Sequence, residues 1–270
     1  MAATDDQTDD TREASFGGGE PVLETQRLTR RFGELVAVDD LDIEVGQGEF
    51  RSIIGPNGAG KTTLFNLISG ALLPSEGSVI FEGEDVSKLR PHERVHRGIG
   101  RSFQITNVFG GLSVRENVRL AAQAVLQGRS PVENVFRHKD SFDDLNGRAD
   151  DVLSRIGLAE RGHEQASTLA YGDRRRLEIG LVLATDPQLV MLDEPTAGMS
   201  AEETRATMEL IGEVLGDRTV LLIEHDIELV MNASDRITVL NRGEELATGP
   251  PEAVAENEQV QQAYLGGGVL

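Results

Sequence analysis

Cysteine is absent from the 270-residue chain, and lysine occurs only three times. The lack of cysteine excludes disulfides, cysteine-ligated zinc and thiol catalysis, and it fits a cytosolic location. No continuous apolar run reaches the roughly 20 residues that a membrane-spanning helix needs, so the chain is not expected to cross a bilayer by itself. The N-terminus has no apolar core after its charged stretch, and a secretory signal is therefore not expected.

Basic residues are scarce. The chain has 26 lysines and arginines but 46 aspartates and glutamates, which gives a formal net charge of −20. A surface this acidic repels nucleic acid and anionic lipid headgroups unless a local basic patch intervenes. We therefore expect no nucleic-acid partner. The many acids and few lysines resemble proteins of salt-loving organisms, in which concentrated salt screens the self-repulsion. An acidic protein without that adaptation is the alternative.

The order of apolar runs, turns and helical patterns predicts an α/β protein. Residues 1–20 are acidic, end in a glycine-rich stretch and are expected to form a flexible tail. Strands alternating with helices beyond this tail predict a parallel sheet with helices on both faces. Residues 90–185 carry mostly helical signals, which predicts an inserted helical subdomain. The predicted strands are Glu49–Ile54, Ser78–Phe81 as a sheet edge, Leu189–Leu192, Thr219–Ile223, Arg236–Leu240 and Glu245–Thr248.

A phosphate-binding loop is predicted between a short strand and a helix that begins near Lys61. Residues 55–63 read GPNGAGKTT and match G-x-x-x-x-G-K-[ST] at every fixed position. Glycines allow successive N–H groups to point at a phosphate, and the following helix adds its positive end. Lys61 would lie between the β- and γ-phosphates, and Thr62 would ligate Mg²⁺. The predicted nucleotide-binding residues of this loop are Gly55, Pro56, Asn57, Gly58, Ala59, Gly60, Lys61, Thr62 and Thr63.

Two adjacent carboxylates end the apolar run QLVMLDEP. Asp193 fits the position that holds Mg²⁺ through water. Glu194 points elsewhere, because side chains alternate at a strand end, and is a candidate general base for an attacking water. An acidic pair in an ordinary turn is the alternative for this dipeptide alone. The second acid favours hydrolysis over phosphoryl transfer to a hydroxyl, so a P-loop kinase is the less favoured enzyme class.

Three further segments complete an ordered set. Gln104 lies in GRSFQITNVF, LAYGD occupies residues 169–173, and His225 ends the run TVLLIEH. Phosphate loop, glutamine, LAYGD, LDEP and histidine, in this order, resemble the nucleotide-binding subunits of ABC transporters over nearly all of the chain after the tail. The resemblance implies the fold of an ABC ATPase cassette, in which a P-loop NTPase sheet carries an N-terminal antiparallel β subdomain and an inserted helical subdomain.

In that family two subunits close head to tail, and each ATP lies between the phosphate loop of one subunit and the signature segment of the other. The resemblance assigns residues 169–173 to the partner's nucleotide, because a helix that opens near Gly172 offers its N–H groups to a γ-phosphate. Ala170 and Asp173 depart from the serine and the glutamine or glutamate that are usual there, and Ala170 lacks a hydroxyl donor. The signature residues are Leu169, Ala170, Tyr171, Gly172 and Asp173.

The resemblance also implies roles for single side chains. Phe32 would stack on adenine, with an ordinary core aromatic as the alternative. Gln104 would report the γ-phosphate to a membrane partner, and His225 would contact that phosphate and help to orient the general base. Ser200 stands where the family usually has aspartate and is a predicted helix N-cap with Glu203. The implied catalytic residues are Glu194, His225 and Gln104, and the implied Mg²⁺ ligands are Thr62, Gln104 and Asp193.

Three segments, LAYGDRRRLEIG, IEHDIELVM and QQAYLG, resemble the ATP-binding proteins of branched-chain amino-acid importers. This implies a cytoplasmic ATPase, peripheral on the inner face of the membrane, with ATP and Mg²⁺ as its cofactors. Its implied partners are a second ABC ATPase subunit, identical or related, permease subunits contacted through residues 104–114, and indirectly an extracellular solute-binding protein. Residues 21–250 would form the nucleotide-binding domain and 251–270 a C-terminal extension. The alternatives are an ABC ATPase for urea, amides or lipid export, and a soluble ABC ATPase that moves no solute.

Overall fold

The computed structural model describes residues 20–102, 108–126 and 140–265. The strands within these ranges are β1 (Leu23–Phe32), β2 (Leu35–Val45), β3 (Phe50–Ile54), β4 (Glu76–Phe81), β5 (Glu84–Asp85), β6 (Ile99–Arg101), β7 (Leu189–Asp193), β8 (Thr219–Ile223), β9 (Arg236–Asn241) and β10 (Glu244–Gly249). The α-helices are α1 (Lys61–Ile68), α2 (Pro91–Val95), α3 (Val114–Leu126), α4 (Asp140–Arg155), α5 (Tyr171–Ala184), α6 (Ala201–Leu215), α7 (Ile227–Ala233), α8 (Pro251–Ala255) and α9 (Glu258–Leu265).

The N-terminal sheet is antiparallel, in the order β2-β1-β4-β5, which confirms the predicted antiparallel β subdomain. On β2, the buried residues Leu41, Ile43 and Val45 alternate with the exposed residues Asp42 and Glu44. This alternation is expected for a sheet that covers the core with one face only. The prediction that β4 is a sheet edge is wrong, because the chain turns back after it and adds the two-residue strand β5.

The second sheet has the order β10-β9-β3-β8-β7-β6, and its neighbouring strands are parallel except for the hairpin of β9 and β10. Every residue of β7 and β8 is buried, as expected for strands covered by helices on both faces. The carboxyl ends of β3, β7 and β8 meet at one edge of this sheet. Open parallel sheets bind their ligands at that edge.

Helices α3, α4 and α5 pack together within the region predicted to be helical. Val118, Leu145 and Leu177, one from each helix, belong to a buried cluster that continues into β7, β8 and α6. Strand β6 also falls between residues 90 and 185, yet it belongs to the core sheet. The helical packing is therefore observed, whereas the subdomain limits of 90 and 185 stay a prediction.

The capping box predicted for α6 is confirmed. The Ser200 hydroxyl oxygen accepts a hydrogen bond from the Glu203 N–H, and the Glu203 carboxylate accepts one from the Ser200 N–H at 2.9 Å. These reciprocal bonds satisfy two backbone donors that a helix start otherwise leaves unpaired. They fix the point at which the chain leaves the turn after β7.

The two short helices that follow β10, α8 and α9, pack on the core sheet. Val254 and Val260 are buried together with Ile54 and Val239, and Tyr264 packs against the same cluster. The end of the described chain is thereby attached to the strand that leads into the phosphate loop. The domain limit placed between residues 250 and 251 stays a prediction. Among the described residues, no helix combines the length and apolar character that a bilayer crossing requires.

Candidate active site

The phosphate loop connects β3 to α1, as predicted. Gly55 and Gly60 have φ angles of +150° and +105°, which L side chains rarely adopt. A Cβ atom on Gly55 would lie 2.2 Å from the Leu240 carbonyl oxygen, and one on Gly60 would lie 2.4 Å from the Ala37 carbonyl oxygen. Such contacts are sterically impossible. The path of the loop therefore requires glycine at both positions.

Lys61 opens α1 and turns its side chain back into the loop. It is only 6% exposed, and its Nζ donates hydrogen bonds to the carbonyl oxygens of Gly55 at 2.6 Å and Pro56 at 3.2 Å. Burial lowers the pKa of Lys61, and the nearby carboxylates of Glu194 and Asp193 oppose that shift. A cation held at the cost of desolvation stabilises an anion that enters the loop.

The other predicted loop residues surround this lysine. Ala59 is buried, whereas Asn57 and Gly58 are exposed at the tip of the loop. Thr62 is exposed and Thr63 half-buried on the first turn of α1. The start of α1 therefore carries an exposed hydroxyl next to a buried ammonium group, at the end of a glycine-containing loop. That combination is suited to a phosphate chain.

Asp193, the last residue of β7, is 1% exposed and lies beside α1. Its Oδ2 accepts a hydrogen bond from Nη2 of Arg101 at 3.0 Å, and Arg101 is itself held by Asn66 at 2.7 Å and Ser69 at 3.0 Å. Its Oδ1 is buried and has no hydrogen-bond partner within the described residues. A buried carboxylate oxygen that lacks a donor matches the hard oxygen ligands that Mg²⁺ prefers.

The described residues contain no group of three or more His, Asp or Glu side chains that could hold a metal ion alone.

Glu194 follows Asp193 and has a φ of +47°, which is uncommon for a residue other than glycine. Its N–H donates a hydrogen bond to the Ile223 carbonyl oxygen at 2.9 Å. Its Oε1 lies 2.7 Å from Nε2 of His225, which follows the neighbouring strand β8. The structure thus brings together the two residues that the sequence predicts as general base and orienting histidine.

The predicted signature segment lies at the start of α5. Ala170 is the N-cap residue, and its side chain makes no capping hydrogen bond, so it leaves the first N–H groups of the helix without a side-chain acceptor. Ala170 is exposed, Tyr171 is 56% exposed, and Leu169 is buried as the anchor of the turn. A Cβ atom on Gly172 would have no neighbour within 4 Å. The turn therefore faces outward from its own subunit.

Two side chains tie this segment to its surroundings. The Tyr171 hydroxyl donates a hydrogen bond to the Ala197 carbonyl oxygen at 3.0 Å, in the turn after Glu194. Asp173 forms an ion pair with Arg161. The acidic residue that departs from the family pattern is thus partly neutralised within its own subunit.

Phe32 is 43% exposed at the end of β1, so it is not a core aromatic. The guanidinium carbon of Arg30 lies 4.6 Å from its ring centroid. The proposed stacking of Phe32 on adenine stays a prediction. Gln104, predicted to ligate Mg²⁺, lies outside the described residues.

Two charged residues that support this site were missed by the sequence reasoning. Glu224 is buried and accepts hydrogen bonds from the Thr196 N–H at 3.0 Å and the Thr196 hydroxyl at 2.7 Å. Arg175 donates to the backbone carbonyl oxygens of Glu194 and Pro195 at 3.0 and 2.7 Å. Arg175 is the middle residue of three consecutive arginines, and only the phase of the folded helix distinguishes it from its neighbours.

Fold and site together define a P-loop nucleoside triphosphatase: a phosphate loop, a buried acidic strand end and a Glu–His pair at one edge of a parallel sheet. The family model described as ABC transporter matches residues 38–197. A second model, described as branched-chain amino acid ATP-binding cassette transporter, matches residues 244–269.

Individual proteins agree with these matches. The chain is 41% identical over 256 residues to the high-affinity branched-chain amino acid transport ATP-binding protein LivG of Escherichia coli K12, covering 92% of this chain and 98% of that protein. The ADP conformation of the ATP-binding cassette MJ1267 superposes with a TM-score of 0.79 at 31% identity, covering 92% of this chain and 100% of the other. The dimeric cassette MJ0796 bound to ADP and Pi superposes with a TM-score of 0.70 at 25% identity, covering 85% and 98%. The chain therefore belongs to the ABC transporter family, as a nucleotide-binding ATPase subunit.

Proposed function

We propose that this chain hydrolyses ATP to drive the import of branched-chain or other hydrophobic amino acids through a membrane permease. Two similarities support the proposal: the match of residues 244–269 to the family described as branched-chain amino acid ATP-binding cassette transporter, and the near full-length similarity to LivG. The C-terminal match supports this assignment independently of the phosphate loop, which other ATPase families share.

The contact between Glu194 and His225 carries the catalytic part of the proposal. Glu194 acts as the general base that takes a proton from the attacking water. His225, whose Nε2 lies 2.7 Å from Oε1 of Glu194, orients that carboxylate and contacts the γ-phosphate. A general base needs to lie within hydrogen-bond reach of its water, and a fixed orientation supplies that reach without further movement.

Thr62, Gln104 and Asp193 would hold Mg²⁺, which would neutralise charge on the β- and γ-phosphates. Arg101 occupies Oδ2 of Asp193 and leaves Oδ1 without a donor among the described residues. Oδ1 would therefore be the carboxylate oxygen available to the ion or to its bound water. Lys61, whose Nζ lies within the loop against the Gly55 and Pro56 carbonyl oxygens, would contact the phosphates as a cation.

A second ATPase subunit, either another copy of this chain or a relative, completes the active site in this proposal. The exposed turn Ala170–Gly172 offers the N–H groups of α5 to the γ-phosphate held by the partner. MJ0796, which has the same fold, is a dimer in its post-hydrolysis state. Closure around two nucleotides would precede hydrolysis, and hydrolysis would let the pair reopen.

The permease is proposed to contact a groove beside the loop that precedes α3. The groove has a volume of about 420 Å³ and is lined mainly by apolar side chains, among them Val95, Phe109, Leu120 and Leu181. Phe109 is 63% exposed at this groove. An apolar groove of this kind accepts the apolar face of a short helix. Contact here would place the chain on the cytoplasmic face of the membrane and connect it indirectly to an external solute-binding protein.

Replacing Glu194 with glutamine tests the catalytic proposal. Glu194→Gln keeps the size of the side chain but removes the base, so we expect hydrolysis to fall by about 10²-fold or more, while ATP traps a dimer detectable by light scattering. Glu202→Gln, an exposed acid on α6, is the matched control and should retain the parent rate. A Glu194→Gln variant that hydrolyses ATP at the parent rate refutes the assignment.

The transported solute is tested separately in the reconstituted complex. With the permease and its binding protein in proteoliposomes, leucine, isoleucine or valine should stimulate ATP hydrolysis and appear inside the vesicles. Stimulation by urea or a short amide alone would reassign the solute while leaving the ATPase assignment intact.

A further inference from the structure

The backbone at Glu194 is fixed from two sides. The residue has a φ of +47°, a left-handed conformation that a glutamate keeps only when its surroundings enforce it. On one side, its N–H donates to the Ile223 carbonyl oxygen of β8 at 2.9 Å. On the other side, its carbonyl oxygen accepts a hydrogen bond from Nη2 of Arg175 at 3.0 Å.

Arg175 lies on the second turn of α5 and fastens two consecutive carbonyl groups. Besides the Glu194 oxygen, it holds the Pro195 oxygen with Nε at 2.7 Å. The guanidinium group is planar, so the two donors keep a fixed spacing and fix the orientation of the turn as well as its position. The third nitrogen of the guanidinium group, Nη1, forms an ion pair with Oε2 of Glu178, one turn further along α5, at 2.5 Å. The side chains of Arg175 and Glu178 are only 13% and 9% exposed.

We propose that Arg175 is a positioning residue for Glu194 and makes the orientation of that carboxylate depend on the position of α5. This inference rests on the proposed role of Glu194 as general base. Because α5 begins at the segment proposed to serve the partner's nucleotide, Arg175 gives a direct contact between one ATP site and the base of the other. The hydrogen bond from Tyr171 to the Ala197 carbonyl oxygen joins the same two segments.

The reason that this contact matters is geometric. Movement of the α5 start, when it meets a nucleotide across the dimer, pulls on the Glu194 and Pro195 carbonyls through a rigid group. The turn then rotates, and the carboxylate of Glu194 moves with it relative to His225. Partial loss of this alignment lowers the rate of the chemical step and leaves nucleotide binding at the phosphate loop unchanged.

Arg175→Gln removes both hydrogen bonds and the charge. We expect kcat for ATP hydrolysis to fall ~10-fold to 100-fold, with KM for ATP and the nucleotide affinity of the monomer changed less than about 2-fold. Arg174→Gln is the matched control, since it removes the same charge one residue earlier. Within the described residues, the Arg174 guanidinium donates to the carbonyl oxygens of Ser167 at 3.4 Å and Leu169 at 3.5 Å, and not to the turn that contains Glu194. It should retain the parent kcat within about 2-fold.

A double-mutant cycle separates positioning from a general structural effect. In the Glu194→Gln background, Arg175→Gln should lower the single-turnover rate by less than about 2-fold, because the carboxylate that it positions is already gone. Arg175→Lys keeps the charge but replaces the planar guanidinium group by one ammonium group, so it should give an intermediate kcat. If the glutamine variant does not fold, Arg175→Lys replaces it in the double-mutant cycle with Glu194→Gln.

Two results would overturn the inference. One is an unchanged kcat for Arg175→Gln; the other is an equal loss of rate in the presence and absence of the Glu194 carboxylate. Failure of the proposed function is recognised differently, because in that case Glu194→Gln itself would retain the parent rate. An inactive Glu194→Gln together with a fully active Arg175→Gln would refute only the role of Arg175.

Discussion

Nε2 of His225 lies 2.7 Å from Oε1 of Glu194, although the two residues are 31 positions apart in the sequence. The contact follows from strand pairing. Asp193, at the end of β7, is in register with Ile223, at the end of β8, so the residues just beyond both strands meet at the same edge of the sheet. The Glu–His pair is therefore a consequence of the parallel pairing of β7 with β8.

Replacing His225 with alanine should lower kcat by about 10²-fold, because Glu194 loses the side chain that orients it. KM for ATP should change much less, since the phosphate loop remains intact. Steady-state hydrolysis across a range of ATP concentrations provides both values. His92→Ala, at an exposed position on α2, is the control and should match the parent. A His225→Ala variant with an unchanged kcat would remove the histidine from the mechanism.

Lys61→Met should abolish nucleotide binding without lowering the stability of the nucleotide-free protein. Burial lowers the pKa of Lys61, which means that the folded state disfavours its charged form, and a neutral side chain avoids that cost. The parent should gain about 2.7 kcal/mol at an ADP concentration of 100 times Kd, and its Tm should rise by roughly 5–10 °C. Thermal melts with and without ADP measure both effects.

Lys88→Met, at an exposed position after β5, is the control for the loss of charge and should keep the full shift with ADP. A Lys61→Met variant whose Tm still rises with ADP by the parent amount contradicts the prediction.

The phosphate loop could be predicted from the sequence because its glycines, lysine and threonine are contiguous and their spacing is fixed by backbone geometry. The partnership of Glu194 and His225 required the resemblance, since spacing alone does not say which strands become neighbours. The roles of Arg175 and Glu224 could not be predicted. Both depend on which backbone groups the turn after β7 presents, and that turn is determined by tertiary packing.

Local sequence also misled the prediction for β4. The run Ser78–Phe81 is short and its ends carry turn signals, which is typical of an edge strand. The short pairing of β5 on its outer side depends on a tight turn at Glu82 and Gly83, with φ angles of +49° and +76°. A two-residue strand has no periodicity of its own, so it cannot be read from the sequence.

Glu224→Gln should destabilise the protein and slow hydrolysis together. The buried carboxylate accepts two hydrogen bonds from Thr196 and one from the His225 N–H at 3.2 Å, and an amide replaces one acceptor oxygen by a donor. The free energy of unfolding should fall by about 1–3 kcal/mol. Urea unfolding at constant pH measures it, and Glu213→Gln, exposed on α6, should leave the midpoint unchanged. An unaltered midpoint for Glu224→Gln would contradict the prediction.

Salt should stabilise the chain, because its formal net charge of −20 opposes the compact state. The screening length falls from about 10 Å at 0.1 M salt to about 3 Å at 1 M, so most of the gain in Tm should occur within that interval. Circular dichroism melts in increasing KCl measure the effect. Sucrose does not screen charge. An equal increase of Tm in sucrose would therefore show that the gain comes from exclusion of the cosolute from the protein surface and not from screening.

Gly172→Ala should prevent formation of the proposed dimer without destabilising the folded monomer. Within its own subunit the added Cβ meets no atom within 4 Å, and alanine is favoured over glycine in a helix by up to about 1 kcal/mol, so the Tm of the monomer should not fall. If the N–H groups of this helix start approach a partner's γ-phosphate closely, the same methyl group should block that approach. We therefore expect Gly172→Ala, combined with Glu194→Gln, to bind ATP with parent affinity and remain monomeric in light scattering. Gly212→Ala, also open on a helix, should leave the trapped dimer intact. A Gly172→Ala dimer as stable as that of Glu194→Gln alone would show that this turn does not face a nucleotide across an interface.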